Sequence, residues 1–315
     1  MRHSTLYVLS LVLGLALAGC NRQQPGVAGQ PAAPGKPLVA LVVKTLNNPY
    51  FIDMQRGAEE TAKAMGVELT VQAADREVDV ERQVQIIENL IQRHVAVLIV
   101  TPSGSREIVS VIVKANQAGI PVIVVDTRAD AAELKAAGGK TATFIGSDNY
   151  EGGKIAGEFM VSHMNGSAKI AILEGIAGHE TGDQRLRGFR AALEGHPGMQ
   201  VVASQPANWE RDQGYNVFQN ILQAHPDVNA LFAASDLMAL GATEAIAAAG
   251  KTGKVAVVGF DAQDEARAAV KKGVMAATIA QNPAKMGSIA VEWAARILKG
   301  ETPPAELAVP IELVK

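Results

Sequence analysis

From residue 38 onward, short apolar runs alternate with longer stretches in which apolar residues recur at helical spacing. The runs, such as residues 95–100 and 121–125, are rich in β-branched side chains. Such runs are typical of strands buried on both faces. Between them, stretches such as residues 79–93 place their apolar side chains on one face of a helix. The alternation predicts parallel sheets that are covered by helices on both faces.

The predicted elements fall into two similar halves. The predicted strands are 38–43, 67–72, 95–100, 121–125, 143–145, 168–173, 199–203, 230–233, 255–260, 276–279 and 307–314. The predicted helices are 53–65, 79–93, 108–118, 150–164, 184–193, 211–224, 237–249 and 284–299. In each half one strand ends at a small hydroxyl residue and the next ends at aspartate. Because about ten strands exceed the usual size of one such sheet, we predict two doubly wound α/β lobes that face each other across a cleft.

The composition of the chain excludes several classes of function. Of its 315 residues, 48% are hydrophobic and 19% are charged, and the formal net charge is -3. Such a balance gives no basic surface, so we expect no nucleic-acid partner. The single cysteine, Cys20, cannot form an intramolecular disulfide. We also predict that the protein needs no cofactor and no metal ion.

The N-terminal residues are predicted to be a targeting segment followed by a linker. Residues 1–19 have a short basic start and an apolar run shorter than the ~20 residues of a membrane span. Their end resembles a bacterial lipoprotein signal, which implies cleavage before Cys20 and lipidation of its thiol; an ordinary secretory signal with an unrelated cysteine is the alternative. Residues 20–37, rich in Pro, Gly, Gln and Ala, fit a flexible tether. We therefore expect a periplasmic or cell-envelope lipoprotein that contacts the membrane through its lipid anchor only.

The loop after the first predicted strand combines amides with aromatic rings. It contains Asn47, Asn48, Tyr50 and Phe51. In open α/β sheets, ligands bind at the carboxyl ends of the strands. A sugar needs both kinds of contact, because hydroxyls surround the edge of its ring while C–H bonds form its faces.

Polar and aromatic side chains also follow other predicted strands. They are Lys44, Asp75, Thr101, Asp126, Trp209, Ser235, Asp261 and Gln281. A carboxylate can accept two hydroxyls at once, and an amide can donate and accept. Each polar residue alone also fits a helix cap or a turn, whereas their occurrence in both halves favours one shared binding site. Trp209 lies in a Pro-Ala-Asn loop and is predicted to stack on a ligand ring, while Trp293 is predicted to pack within the last helix.

Seven motifs together carry a resemblance to a known family. They are VKTLNNPYF at 43–51, GGKIAG at 152–157, EGIAG at 174–178, SQPA at 204–207, LMALGA at 237–242, VVGFD at 257–261 and ATIAQ at 277–281. From residue 38 onward the chain resembles the periplasmic sugar-binding proteins of ABC importers, of the ribose-binding-protein type. The resemblance implies a type I fold with a three-stranded hinge. It also implies an N-terminal lobe of residues 38–147 plus 282–309 and a C-terminal lobe of residues 148–281 plus 310–315.

The resemblance further implies a set of ligand contacts. Asn48 is expected to hydrogen-bond the sugar, and the rings of Tyr50, Phe51 and Trp209 are expected to stack on its two faces. The residues expected to bind hydroxyls are Asp126, Arg185, Asp261 and Gln281. The expected partners are a monosaccharide and the transmembrane subunits of an ABC permease, with the protein itself a monomer.

Four of the predicted ligand-binding positions depart from the ribose-binding pattern. Thr127 stands where the ribose binders have arginine, Ser235 and Thr101 replace asparagines, and Lys44 replaces a small serine. A related pentose, a hexose or a small polyol therefore fits as well as ribose. We hypothesise that Lys44 replaces the lost arginine charge and pairs with Asp126 or with the ligand, because a charge at the end of a buried strand needs a partner.

Three other classes of function were compared with this interpretation. An enzyme lacks support, because the sequence contains no Gly-x-Ser-x-Gly motif and no zincin motif. A lactose-repressor-type regulator shares this fold but requires a helix-turn-helix before residue 38, where the signal and tether lie. A sugar or autoinducer sensor that feeds a membrane receptor without transport remains an alternative, because the sequences of the binding lobes do not distinguish such a sensor from an import component.

Overall fold

The structure is a computed structural model that describes residues Lys36–Lys315. The predicted signal, Cys20 and all but the last two residues of the predicted tether lie outside the described residues. Within the described part, no helix is both long enough and apolar enough to cross a membrane.

The strands within residues 36–315 form two six-stranded sheets. The first sheet contains β1 (Leu38–Thr45), β2 (Glu68–Ala74), β3 (Val97–Val100), β4 (Val122–Val125), β5 (Thr143–Gly146) and β11 (Glu306–Ala308). The second contains β6 (Ala168–Glu174), β7 (Met199–Pro206), β8 (Ala230–Ala233), β9 (Ala256–Asp261), β10 (Ala277–Ala280) and β12 (Glu312–Val314). Their orders, β11-β5-β4-β3-β1-β2 and β12-β10-β9-β8-β6-β7, correspond strand for strand. Only β12 runs antiparallel to its neighbour among these strands, so the prediction of two doubly wound lobes is confirmed.

Helices cover both sheets and divide the described chain into two lobes. The N-lobe comprises the first sheet with α1 (Pro49–Met65), α2 (Val80–Gln92), α3 (Ile108–Gln117), α4 (Ala131–Ala136) and α10 (Pro283–Ile297). The C-lobe comprises the second sheet with α5 (Asn149–His163), α6 (Glu180–Leu193), α7 (Arg211–Ala224), α8 (Asp236–Ala248) and α9 (Asp264–Lys271). Within residues 36–315 the chain passes between the lobes before α5, before α10 and between β11 and β12. These three crossings form the three-stranded hinge of the predicted fold.

Each sheet is buried on both faces. In β1, Leu41 and Val43 pack with the side chains of α1 and α10, whereas Ala40 and Val42 pack with those of α2 and α3. Fully burying one aliphatic side chain stabilises a fold by about 1.5–3 kcal/mol. The two-sided core therefore holds the carboxyl ends of the strands, where the polar residues of the sequence lie, in fixed positions.

Glycines allow α5 and α6 to approach closely. A Cβ on Gly153 would lie 2.0 Å from the carbonyl oxygen of Arg185, and a Cβ on Gly188 would lie 1.9 Å from that of Tyr150. Packed backbones leave no room for a side chain at such distances, so both positions require glycine. This contact fixes Arg185, on α6, against α5 near the strand ends of the C-lobe.

The prediction of one final strand over residues 307–314 is wrong. The structure divides this stretch into β11, which pairs with β5 of the N-lobe, and β12, which pairs with β10 of the C-lobe. Pro310 lies between them and has no N–H group to donate to a sheet. The stretch is therefore a crossing between the lobes with a short strand on each side.

Two helices begin four residues earlier than the apolar periodicity predicts. Pro49 occupies the first turn of α1 and Asn48 caps it, because proline at the first helical position lacks only an N–H that has no intrahelical partner. The helix α6 begins at Glu180 rather than at residue 184 for a different reason, because its first turn is polar and the apolar period starts only after it. The short helices α4 and α9 were not predicted, since they offer few apolar positions from which to read a period.

Candidate functional site

The strand ends of the two sheets meet at a pocket with an empty volume of about 320 Å³. The lining combines three carboxylates, two cations and three aromatic rings from both lobes. The lining residues are Lys44, Asn48, Tyr50, Phe51, Glu77, Asp126, Thr181, Arg185, Trp209, Ser235 and Asp261.

The cation on the N-lobe side of the pocket is Lys44, at the end of β1. Its Nζ lies 3.8 Å from Glu77 Oε2 and 3.8 Å from Asp126 Oδ2, and its side chain is 3% exposed. A buried charge is costly unless it is paired, and these two carboxylates provide the pairing, including the hypothesised one with Asp126. Both distances exceed hydrogen-bond length. The ammonium is therefore attracted by both carboxylates at distances that leave its N–H groups able to meet another acceptor.

Asn48 and the two aromatic residues of α1 form the adjoining wall. Asn48 Oδ1 accepts a hydrogen bond from the backbone N–H of Tyr50 (3.0 Å), and Asn48 Nδ2 donates to Glu77 Oε1 (2.8 Å). The Tyr50 hydroxyl donates to Asp126 Oδ1 at 2.8 Å. Burial, reinforced by Asp126, raises the pKa of Tyr50 well above its ordinary value, so the phenol remains a neutral donor. The Phe51 ring stands at 84° to that of Tyr50, with 5.3 Å between the ring centroids.

The cation on the C-lobe side is Arg185, and protein groups surround it. Its Nε donates to Asn149 Oδ1 (2.9 Å), and its Nη1 donates to the carbonyl oxygen of Ala234 (2.6 Å) and lies 3.4 Å from Asp261 Oδ1. The guanidinium also lies 3.8 Å from the centroid of the Phe260 ring. Such a group is held by its planar donor geometry and by ring stacking together. Arg185 thus has a fixed position before any ligand arrives.

Asp261 is the carboxylate that Arg185 accompanies. Gln281 Nε2 donates to Asp261 Oδ1 at 3.0 Å. Burial raises the pKa of Asp261 to about 7, although Arg185 opposes the rise. Burial and the charge of Asp261 likewise raise the pKa of Asp236, and burial raises that of Glu77. A ligand that donates hydrogen bonds to these buried carboxylates would therefore stabilise their charged form in the closed pocket.

Two glycines make room for Trp209, the aromatic side chain of the C-lobe. A Cβ on Gly175 would lie 1.9 Å from the indole ring, and a Cβ on Gly182 would lie 3.3 Å from it. The Trp209 Nε1 is buried and has no hydrogen-bond partner among residues 36–315. A buried donor without a partner costs free energy, so an acceptor on a bound molecule would stabilise this wall.

Three residues of the pocket have unusual backbone conformations. The φ angles of Asp126, Trp209 and Asp261 are 65°, 66° and 111°, which is uncommon for residues other than glycine. Such conformations persist where the surrounding structure enforces them, and they cluster at functional sites. Asp126 directly follows β4 and Asp261 is the last residue of the corresponding strand β9, so both lobes present a carboxylate at the same strand end.

Direct contacts between the lobes close the cleft around the pocket. Gln263 Nε2 of the C-lobe donates to Asn48 Oδ1 (3.1 Å), and the hydroxyls of Thr127 and Thr181 lie 3.0 Å apart. At the rim, Arg76 Nη2 lies 3.2 Å from Glu210 Oε1, and the backbone N–H of Glu180 donates to Ser105 Oγ (3.3 Å). The structure therefore represents the closed arrangement of the lobes.

Comparison with known proteins gives a consistent result. The family model described as "Periplasmic binding protein domain" matches residues 39–302. This chain belongs to the periplasmic binding protein family. It is 41% identical over 282 residues to the ribose import binding protein RbsB of Escherichia coli (strain K12), which covers 90% of this chain and 92% of the relative. It is 37% identical over 277 residues to the D-allose-binding periplasmic protein of the same organism, covering 87% and 89% of the two chains.

A solved structure supports the same membership. A periplasmic solute-binding protein of an ABC transporter from Actinobacillus succinogenes 130z, with bound D-allose, superposes with a TM-score of 0.84 at 42% identity. The match covers 89% of this chain and 98% of that protein. The type I fold expected from the sequence motifs is confirmed, and the family indicates a periplasmic or extracytoplasmic location. These relatives are solute-binding proteins rather than enzymes.

The structure of this periplasmic binding protein brings most of the predicted site residues to the pocket. Three of them lie elsewhere. Thr101 is fully buried behind the pocket with its hydroxyl 3.5 Å from Met54 Sδ, because the end of β3 turns this side chain toward α1. Thr127 donates to Asp126 Oδ2 from behind, and Gln281 supports Asp261.

Sequence reasoning missed three residues at this site. Glu77 and Thr181 line the pocket, and Gln263 bonds to Asn48 across the cleft. The rule that polar residues follow strands selected Asp75, which is exposed, while Glu77 lies two positions further along the same loop. Extending the rule by two residues would have included Glu77. Thr181 and Gln263 contact the other lobe, and no local sequence pattern indicates how the two lobes meet.

Proposed function

We propose that this protein captures a monosaccharide, a ribose-like pentose or a related sugar, between its lobes and delivers it to an ABC permease. The observation that carries the proposal is the pocket, where carboxylates, cations and ring faces from both lobes converge at the strand ends. A sugar matches this combination, since its hydroxyls donate and accept while its C–H faces stack on rings. Relatives named for ribose and for D-allose add support.

Each group of side chains has a distinct role in the proposed complex. Asp126 and Asp261 accept hydrogen bonds from hydroxyls, and Lys44 and Arg185 donate to sugar oxygens. Phe51, Tyr50 and Trp209 cover the two ring faces. The side chains proposed to contact the sugar directly are Lys44, Asn48, Tyr50, Phe51, Asp126, Arg185, Trp209, Ser235 and Asp261. Thr127 and Gln281 hold the two aspartates from behind.

Binding is coupled to closure of the lobes. The proposed lobes are residues 38–147 plus 282–309 and residues 148–281 plus 310–315, so the hinge lies where the chain crosses between the sheets. A ligand that contacts both aspartates gains more in the closed form than in the open form, and it therefore shifts the population toward closure. The closed, liganded protein is the form that the permease recognises.

Calorimetry against a panel of sugars tests the binding step. The panel contains D-ribose, D-allose, D-apiose, D-arabinose, D-glucose and myo-inositol. Wild-type protein should bind at least one member and should unfold at a higher temperature in its presence. Asp261→Ala should lose the binding while remaining folded, and replacement of the exposed Asp264 by Ala should leave it unchanged. Absence of binding to every member would count against the proposal.

Transport and anchoring are tested in cells. Deletion of the gene should abolish high-affinity uptake of the bound sugar, and restoring the wild-type gene should recover it. We also propose that Cys20 carries the lipid anchor, so Cys20→Ser should move the protein from the membrane fraction to the soluble fraction. Continued uptake in the deletion strain would contradict the transport role, and an unchanged distribution of Cys20→Ser would contradict the anchor.

A further inference from the structure

A series of polar contacts crosses the closed cleft and ends at the pocket. Gln263 Nε2 of the C-lobe donates to Asn48 Oδ1 of the N-lobe at 3.1 Å. Asn48 Nδ2 donates to Glu77 Oε1 at 2.8 Å, and Glu77 Oε2 lies 3.8 Å from Lys44 Nζ. One side chain from the C-lobe is thus connected, through two N-lobe side chains, to the ammonium that lines the pocket.

The intermediate side chains in this series have little freedom to move. The backbone N–H of Gln263 donates to Asp236 Oδ2 at 2.8 Å, which fixes the beginning of α9. Asn48 Oδ1 also accepts the backbone N–H of Tyr50, so the same oxygen caps α1 and receives Gln263. Asn48 is 6% exposed and Glu77 is 7% exposed. A displacement of the Asn48 side chain therefore changes the position of the Glu77 carboxylate to which it is hydrogen-bonded.

Lys44 is the part of the series that responds most readily. Its Nζ is attracted by Glu77 and Asp126 at equal distances of 3.8 Å, both beyond hydrogen-bond length. A lysine ammonium is a compact charge on a flexible stem with rotatable donors. Its position in the pocket is therefore set by where the two carboxylates lie, and one of them, Glu77, is held by Asn48.

We propose that Glu77 and Gln263 are positioning residues for Lys44, so that closure of the lobes places the Lys44 ammonium against the bound sugar. The inference rests on the proposed function, because it concerns the ligand of that same pocket. When the lobes close, Gln263 reaches Asn48, Asn48 holds Glu77, and Glu77 holds Lys44. When the lobes open, the Gln263 contact is lost and the ammonium is no longer fixed from the C-lobe side.

Double-mutant cycles measured by calorimetry with the tightest-binding sugar of the panel test this inference. Gln263→Ala should weaken binding by about 3- to 10-fold, the effect of one net hydrogen bond. In a Lys44→Met background the same substitution should weaken binding by less than about twofold, because its effect passes through Lys44. Glu77→Gln keeps an acceptor for Asn48 but removes the attraction for Lys44, and it should reduce the effect of Gln263→Ala in the same way. This second cycle stays measurable if Lys44→Met lowers affinity below detection.

Arg76→Ala provides the matched control. The Arg76–Glu210 ion pair also crosses the cleft, but it lies at the partly exposed rim. Within the described residues, neither of its members forms a hydrogen bond or an ion pair with Lys44, whose ion-pair partners are Glu77 and Asp126. Its loss should change affinity by less than about fivefold, and by the same factor in the wild-type and Lys44→Met backgrounds. Melting temperatures of all variants, measured without sugar, separate loss of positioning from loss of folding.

The outcomes distinguish this inference from the proposed function. If wild-type protein binds a sugar and Gln263→Ala has the same effect in all three backgrounds, the positioning role is overturned and the binding function stands. If Gln263→Ala loses its effect in both the Lys44→Met and the Glu77→Gln background, the positioning role is supported. If wild-type protein binds no sugar of the panel, both the function and the inference fail.

Discussion

The two lobes present corresponding halves of the pocket, and they hold their cations differently. Each half has an aspartate with positive φ at the carboxyl end of β4 or β9, and each has one buried cation. Arg185 in the C-lobe is bonded to Asn149, Ala234 and Asp261. Lys44 in the N-lobe is attracted by carboxylates that it does not reach at hydrogen-bond distance.

This difference assigns distinct tasks to the two halves. The C-lobe half is formed by the protein alone, so it can receive a ligand without rearrangement. The N-lobe half keeps a mobile type of donor in place by electrostatic attraction, so a ligand oxygen can complete its coordination. Preorganisation on one side lowers the entropy cost of binding, while the other side favours closure only when a suitable acceptor is present.

Replacement of Arg185 should cause the largest loss of stability among the variants proposed for the two halves of the pocket. Arg185→Met leaves the buried Asp261 without its cation and leaves Asn149 Oδ1 and the carbonyl oxygen of Ala234 without their donor. Removing one partner of a buried ion pair typically costs about 3–5 kcal/mol of stability. Lys44→Met should cost less than half as much, because its carboxylates are not hydrogen-bonded to it and Glu77 has a raised pKa. Urea unfolding of ligand-free protein measures both. Equal losses for the two variants would show that the halves are held alike.

A methyl group beneath Trp209 should have the next largest effect. Gly175→Ala places a Cβ 1.9 Å from the indole ring, so the ring must move, at a cost of about 1–3 kcal/mol. Sugar affinity should fall with stability, because the displaced ring forms a wall of the pocket. Gly195→Ala is the control: its φ of 82° also disfavours alanine, but no atom lies near the added Cβ, so stability should fall while affinity is retained.

The buried carboxyl of Asp261 should make the stability of the protein depend on pH. Its pKa is raised from 3.8 to about 7 in the closed fold, so between these values the folded state binds more protons than the unfolded state. The contribution of Asp261 to the stability of the closed, ligand-free protein is then fully present below about pH 4 and is lost as pH rises to about 7. Asp261→Asn should reduce the decline of stability across this window, and the part that persists belongs to the other buried carboxyls with raised pKa values, Asp236 and Glu77. Thermal unfolding of both proteins across this pH window measures it, and parallel curves would refute the assignment to Asp261.

The hydroxyl pair between the lobes should give the smallest effect. Thr181→Val removes the 3.0 Å contact with Thr127 and should weaken sugar binding by about 2- to 10-fold, the range of one hydrogen bond. Thr127→Val removes the same contact together with the hydrogen bond to Asp126 Oδ2, so its loss of affinity should be at least as large. Because the contact between the hydroxyls is shared, the double variant should be no weaker than Thr127→Val alone. Multiplicative losses, measured by calorimetry, would show that the two hydroxyls act separately.

The apolar pattern of the sequence predicts the lobes well because it reports burial directly. Strands covered on both faces become continuous β-branched runs, as in residues 121–125, and their ends mark the pocket edge. The same logic brings Asp126 and Asp261 to the site. The beginning of α1 was misjudged because Asn48 and Pro49 belong to a helix start whose polar character resembles a loop.

Contacts between the lobes could not be predicted from the chain. The bond from Gln263 to Asn48 depends on the angle at which the two lobes close, and neither residue carries a local sign of the other. Thr101 was predicted to bind ligand because it follows a strand, but its side chain points toward Met54 and not into the pocket. Sequence position identifies the end of a strand, but packing decides which way the side chain turns.

The pairing of α1 with α10 has a consequence for the order in which the chain acquires structure during synthesis. A Cβ on Gly57 would lie 2.0 Å from the carbonyl oxygen of Ala284, so the two helices are in backbone contact although the C-lobe segment from α5 to β10 lies between them in sequence. The N-lobe is begun first on the ribosome but cannot be completed until α10 and β11 emerge. The C-lobe segment from α5 to β10 is continuous and is available earlier as a unit. The lobe that starts the chain is therefore the later of the two to be finished, and its exposed α1 surface is where a chaperone would be most useful.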